Sequence, residues 1–290
     1  MIKHLFISLR PWQWVKNSFV LAPLIFTNQF LNYRLGFRFA AGFGVFCLFA
    51  STVYLINDIA DREKDRHHPL KKNRPIAAGN LSVAAAWAAV GIMLAIAAPL
   101  AFLVDDQFFI ISLVYLGINL IYSFFLKRAV IVDAFCVALG FVLRIWAGTA
   151  IANVEPTAWI TMSTFFLALF LVFGKRRGEI VHIDREKYDS KAALMQYRPQ
   201  FLDSIIMVVS TCAIMCYSLF ALSDYARDKF GTDYLIVSVP FVVFGIFRYF
   251  HLIYNKGKGA DPTDALLTDF PIQVAVACWL VTLVAVIYFF

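Results

Sequence analysis

The chain has 290 residues, of which 61% are hydrophobic and only 16% charged, with a formal net charge of +7 and a positive mean hydropathy. This balance excludes an ordinary soluble domain of this length, and no long polar segment is left for an appended soluble domain. A single all-α integral membrane domain over residues 1–290 is expected.

The N-terminal stretch MIKHLFISLRPWQWVKN lacks a small-residue cleavage site behind an apolar core. It is expected to lie in the interface, with Trp12 and Trp14 at headgroup depth. A crossing takes about 20 apolar residues, fewer where the helix is buried or flanked by snorkelling side chains. Nine membrane helices are expected on that basis, near 15–31, 37–57, 82–103, 109–126, 129–151, 158–174, 204–223, 234–250 and 271–290.

Of the 26 Lys and Arg, 21 lie in the N-terminal segment or in and beside the loops after the second, fourth, sixth and eighth spans. Arg34, Arg38, Arg227 and Lys229 fall on the other side, and Arg144 inside a span. The positive-inside rule makes the N-terminus and those loops cytoplasmic and leaves the C-terminus outside. The long polar connections near 58–81, 175–203 and 251–270 share the basic side, so chemistry is expected there. Cys47, Cys136, Cys212, Cys216 and Cys278 all sit in apolar runs without metal-ligand spacing and are read as packing residues.

The second span ends in Asn57-Asp58-Ile59-Ala60-Asp61-Arg62-Glu63-Lys64-Asp65, with Asp58, Asp61 and Asp65 spaced to share one helix face. Carboxylates gathered at a membrane mouth repel one another, and a divalent cation carrying a phosphorylated substrate is their natural partner. A basic tract from Arg66 to Arg74 follows, and acids beside bases suit a metal diphosphate better than either alone. His67 and His68 face different ways on a helix and are not expected to bind metal. Arg74-Pro75-Ile76-Ala77-Ala78-Gly79 is a turn by its Pro and Gly, from which Arg74 could reach a phosphate.

NDIADREKD followed by RPIAAG resembles the first aspartate-rich motif and the downstream RPxxxG of the UbiA superfamily of intramembrane prenyltransferases. That resemblance implies a nine-helix bundle with a cytoplasmic active site in the inner membrane, and magnesium bound by Asn57, Asp58, Asp61 and Asp65. Where the superfamily carries a second aspartate motif, this chain has Gly174-Lys175-Arg176-Arg177-Gly178-Glu179, with Asp184, Glu186 and Asp189 beyond. LRPWQWVKN, Tyr122-Ser123 to Lys127, Val132-Asp133 with Leu143-Arg144, the Gly174 to Glu179 segment and Phe247-Arg248-Tyr249 are similar to the phosphoribosyltransferase branch of the family. The branch implies phosphoribosyl pyrophosphate as donor, a polyprenyl phosphate as acceptor and an arabinan or related envelope glycolipid downstream.

Asp58, Asp61, Asp65 and Lys16 are then the expected catalytic residues. Lys16, Asn17, Arg74, Tyr122 and Ser123 are expected to bind substrate, as are Lys127, Arg144, Lys175, Arg176 and Glu179. Ser123 lies one turn before Lys127, which would let both face one phosphate. Lys16 could instead be an interfacial anchor, and Lys127 a topology determinant. Asp133 and Arg144 share a face with Gly140 between them, serving either substrate or helix packing. Asp261, Asp264 and Asp269 are expected to be surface residues, and Glu179 or Asp184 could complete the metal site.

Two rivals remain at this point. One is a prenyltransferase using a prenyl diphosphate; the other is a polytopic transporter, which would place its charges near the midplane rather than on one face. Partners are the two substrates and the bilayer, with no nucleic acid. Lipid chain length and oligomeric state, a homo-oligomer included, stay open.

Overall fold

The structure, a computed structural model, describes residues 2–27, 32–68, 71–182, 197–256 and 261–289. Helix α1 (Ile2–Leu9) leads into a 3-10 helix (Pro11–Val20) and the short α2 (Ala22–Ile25). Then come α3 (Tyr33–Ala60), α4 (Arg62–His67), α5 (Val83–Val104), α6 (Asp106–Phe124) and α7 (Val132–Ala152). The second half holds α8 (Ala158–His182), α9 (Pro199–Ala221), α10 (Asp224–Phe230), α11 (Val239–His251), α12 (Pro262–Thr268) and α13 (Phe270–Phe289). No strand occurs among the described residues.

Eight helices among the described residues are long and apolar enough to cross a membrane, and they match the second to ninth expected spans. Their starts are fixed by local chemistry. Asp105 separates α5 from α6 and its carboxylate accepts from the N–H groups of Gln107 and Phe108, while Ser82 caps α5 and Asn32 caps α3.

The first expected span, 15–31, is corrected: its described residues form the 3-10 helix and α2 rather than one long α-helix. It still runs the depth of the bundle. Arg10 meets Asp58 at one end, and Phe26 packs on Phe220 and Phe230 at the other. A 3-10 helix rises about 2 Å per residue, so a short segment covers the distance. Irregular backbone at membrane depth survives only where protein covers it. Here α3 and α7 do so: Trp14 donates to Ser51 Oγ at 3.0 Å, and Val20 is wholly buried.

Gly148 of α7 makes this close approach. A Cβ at that position would run into the carbonyl oxygen of Val20 and lie 2.9 Å from the Pro23 ring. Deeper packing comes from Phe39, Phe46, Phe49 and Phe108 in one half and Phe170, Phe173, Leu202 and Ile206 in the other.

The two ends of the bundle differ in charge. One end gathers α4, the Arg74–Gly79 turn, Lys127, the end of α8 and the start of α12; the other holds the α5–α6 corner and α10. Gly148→Val is expected to destabilise the protein by about 1–3 kcal/mol through overpacking. Gly91→Val, where a Cβ meets open space, serves as control. Thermal unfolding in detergent reads both, and equal midpoints would refute the proposed contact.

Candidate active site

The aspartate motif does not stay on one continuous helix. α3 ends at Ala60, Asp61 leaves helical geometry at φ −94° and ψ 3°, and α4 restarts at Arg62. The expected common face is therefore split. Asp58 and Asp65 are buried and share Arg74 Nη1 at 3.0 and 2.6 Å. Arg10 Nη2 reaches Asp58 at 2.5 Å, and Lys71 Nζ lies 3.8 Å from Asp65. Asp61 turns instead to Lys127 Nζ at 2.5 Å.

The RPIAAG turn aims Arg74. Ile76 is 1% exposed beneath Leu55 and Ile56 of α3, the Leu81 N–H closes the turn onto Pro75 O at 3.0 Å, and Gly79 supplies the positive φ of 80°. Burying an apolar plug thus fixes a guanidinium between two carboxylates.

Lys127 rides a 3-10 turn, Leu126–Arg128, because α6 ends at Phe124. The expectation that Ser123 and Lys127 share a helical face is corrected accordingly: Ser123 is buried at the end of α6 while Lys127 reaches across to Asp61. Tyr122 is half-buried and feels the charges of Arg176, Asp133 and Asp61, so it stands between the aspartate motif and the end of α8.

At that end of α8 three consecutive cations fan out to three elements. Lys175 Nζ donates to Asp261 Oδ2 at 2.7 Å, Arg176 pairs with Asp133 of α7, and Arg177 Nε donates to Asp203 of α9 at 2.7 Å. Successive residues on a helix point about 100° apart, so one triplet can hold three neighbours. The surface expectation for Asp261 and Asp269 is corrected. Asp261 also caps α12 by accepting from the Thr263 N–H, and Asp269 takes both Arg248 Nε and Nη2. Asp264 is exposed as expected.

Burial pushes the Asp261 carboxyl up, but Lys175 and Lys16 outweigh it and hold it below its ordinary value. A depressed carboxyl stabilises the fold above its unfolded pKa and loses that contribution as pH falls through the folded one. Lys16 lies among the charges of Lys175, Asp261, Arg144 and Arg10. Glu179 is half-buried further along α8, near Tyr249. Asp184, Glu186 and Asp189 lie outside the described residues.

Asn17 and Arg144 are buried, and the Arg144 charge is felt at Lys16. Arg144 donates Nε to Asn17 Oδ1 at 2.9 Å, Nη1 to Gly140 O at 2.8 Å and Nη2 to Tyr115 at 3.0 Å. The rings of Phe46, Tyr115 and Phe141 surround its guanidinium. Asn17 spends its amide on Cys47 Sγ. These contacts lace the broken first segment to α3, α6 and α7.

Arg10 was not among the expected site residues. Its signal was an Arg-Pro pair before a span, but its left-handed backbone, φ 53°, and its reach to Asp58 depend on the fold. Among the described residues no three His, Cys, Asp or Glu side chains form a metal cluster. The motif nonetheless offers only hard oxygen donors, and magnesium commonly takes one or two carboxylates and leaves its other positions to phosphate and water. Asn57, Asp58, Asp61 and Asp65 fit that ion.

Truncating Arg74 would leave Asp58 and Asp65 short of their shared donor. Arg74→Ala is expected to cost several kcal/mol, and Arg227→Ala, which breaks an exposed and solvent-screened pair with Asp233, far less. Denaturation in detergent measures both, and a smaller loss for Arg74→Ala would contradict the pairing.

An apolar cavity of about 180 Å³ opens among the broken segment, α7, α8, α9, α11 and α13, lined by Phe19, Phe26, Ile145, Leu167, Phe220 and Trp279.

Comparison with known proteins brings these features together. The UbiA prenyltransferase family matches residues 20–268. Decaprenyl-phosphate phosphoribosyltransferase of Corynebacterium glutamicum is 36% identical over 97% of this chain and 86% of its own length. The protein of the same name from Mycolicibacterium smegmatis is 32% identical over 100% and 94%. A UbiA homolog from Archaeoglobus fulgidus bound to DMAPP and Mg2+ superposes with a TM-score of 0.65 at 22% identity, covering 95% of this chain and 100% of that one. A digeranylgeranylglyceryl phosphate synthase gives 0.67 at 15% identity, over 98% and 97%. With its apolar helices and its charged mouth at one end, the chain is an integral membrane protein of the UbiA prenyltransferase family.

Proposed function

We propose that this chain transfers 5-phosphoribose from phosphoribosyl pyrophosphate to a polyprenyl phosphate, releasing pyrophosphate, at the cytoplasmic face of the inner membrane. The observation that carries the proposal is the charge at the mouth. Aspartates held by Arg10, Arg74 and Lys127 share it with a cationic triplet, Lys175 to Arg177, where a second acidic motif would bind a second metal. A donor with phosphates at both ends of a sugar suits such a mouth better than a diphosphate on an apolar chain does. The near-full-length likeness to two decaprenyl-phosphate phosphoribosyltransferases supports the same donor and acceptor classes. The excess of Lys and Arg at this end supports its cytoplasmic placement.

The chemistry asks for positioning and charge compensation rather than a base. A phosphate monoester is already anionic at neutral pH, so its oxygen attacks the anomeric carbon as the bond to pyrophosphate breaks. Asn57, Asp58, Asp61 and Asp65 would hold magnesium, which when bound offsets the charge of the leaving pyrophosphate. In the pairs described above, Arg74, Arg10 and Lys127 keep the carboxylates oriented. A metal diphosphate brings a cation for the carboxylates and oxygens for the guanidinium groups, so exchange leaves every charge partnered.

Lys16, Lys175 and Arg176 serve the remaining phosphates, with Tyr122 and Ser123 beside them. Asn17 and Arg144 act by fixing the segment that carries Lys16. The apolar cavity, lined by Phe26 and by Tyr225 and Phe230 of α10, lies toward the end of the bundle away from the mouth and would take isoprenes distant from the phosphate.

Purified protein given labelled phosphoribosyl pyrophosphate, magnesium and polyprenyl phosphate is expected to yield labelled lipid. Asp58→Ala and Asp61→Ala should lower turnover at least ~1,000-fold, a loss of about 4 kcal/mol in transition-state stabilisation, while staying folded. Turnover of a prenyl diphosphate without labelled lipid would overturn the assignment, and so would retained activity of the variants. Chelation by EDTA should abolish transfer and added magnesium restore it; full activity in EDTA would remove the metal from the account.

A further inference from the structure

Arg176 is held on two sides and left open on a third. Its Nη2 pairs with Asp133, and its guanidinium lies over the Tyr197 ring at 5.6 Å. Its Nε is buried and has no acceptor among the described residues. A buried N–H without a partner is costly and calls for an explanation. At a mouth built for anions, a phosphate oxygen is the group that would satisfy it.

What holds the pair is a strained turn. Ile131 sits at φ 69° and ψ −50°, with Val132 N–H donating to Val130 O at 2.8 Å. That is the rare positive-φ γ-turn, and a β-branched residue at its centre costs free energy that the surroundings must offset. The offset is visible here. The Ile131 N–H donates to the Tyr197 hydroxyl at 2.6 Å, and the Tyr197 side chain is buried between Phe173 and Phe201. α7 begins immediately after the turn, so its geometry sets where Asp133 points.

We infer that Tyr197 is a positioning residue: its hydroxyl clamps the strained turn at Ile131, which orients Asp133 and, through it, the open Nε donor of Arg176 toward a substrate phosphate. One group performs two tasks, since the ring of Tyr197 lies against the same guanidinium whose partner its hydroxyl fixes. The inference rests on the proposal that this mouth binds a phosphorylated donor, but it requires only a diphosphate and not a particular sugar.

The test is a double-mutant cycle on the full-length protein in detergent, with magnesium pyrophosphate as the probe and calorimetry as the readout. Tyr197→Phe keeps the ring and removes the clamp; binding is expected to weaken about tenfold, as for Arg176→Gln. Ile131→Gly relieves the positive φ, so adding Tyr197→Phe to it should weaken binding by less than about twofold.

In turnover, Tyr197→Phe should raise KM for phosphoribosyl pyrophosphate with little change in kcat, the mark of lost binding rather than lost chemistry. Unchanged pyrophosphate binding by Tyr197→Phe, or an undiminished effect in the Ile131→Gly background, would overturn the inference. Should Tyr197→Phe alone fail to fold, the comparison of Ile131→Gly with the double variant still decides. Failure of the wild-type protein to label lipid, with the cycle intact, would sink the phosphoribosyl assignment and leave the clamp standing.

Discussion

Arg74 places a single nitrogen against two buried carboxylates, and the arrangement of the whole charged end follows from it. Asp58 and Asp65, each about 3% exposed, would be costly to bury at a membrane mouth without such a partner. The partner is located by packing rather than by charge, since Ile76 buries itself under α3 and the turn through Gly79 then brings Arg74 back over the aspartates. Arg10 reaches Asp58 from the opposite direction. The N-terminal segment is thereby tied to the same carboxylate as the second loop.

That tie explains how the fold tolerates an irregular crossing. The 3-10 helix from Pro11 to Val20 is covered by α3 and α7, and Gly148 lets its backbone sit against α7 with no intervening side chain. Arg144 carries a buried charge with no carboxylate among its described partners; three neutral acceptors and three aromatic faces stabilise it. At the end of α8, Lys175, Arg176 and Arg177 each hold a different element, so the second half of the bundle closes on the mouth by ion pairs.

Hydropathy made eight long helices legible, because a crossing of lipid demands an uninterrupted apolar run. The irregular first crossing was not, since a 3-10 helix and an α-helix of equal composition differ only in rise and hydrogen bonding. The aspartates were legible as a motif, but the break at Asp61 that sends it to Lys127 depends on where α6 ends. Arg144 shows the same limit, for a charge inside a span signals a polar environment without telling whether protein or ligand supplies it. Arg10, Tyr197 and the pairing of Lys175 with Asp261 join residues far apart in the chain, and no local pattern announces them.

In the proposed reaction the aspartate–cation pairs at the mouth give way to a magnesium-bound diphosphate. A structure with magnesium and phosphoribosyl pyrophosphate bound tests it most directly. Metal is expected on Asp58, Asp61 or Asp65, with the Arg74 and Lys127 side chains moved from carboxylate to phosphate oxygens. Donor density elsewhere, with the Arg74 and Lys127 pairs unchanged, would contradict it.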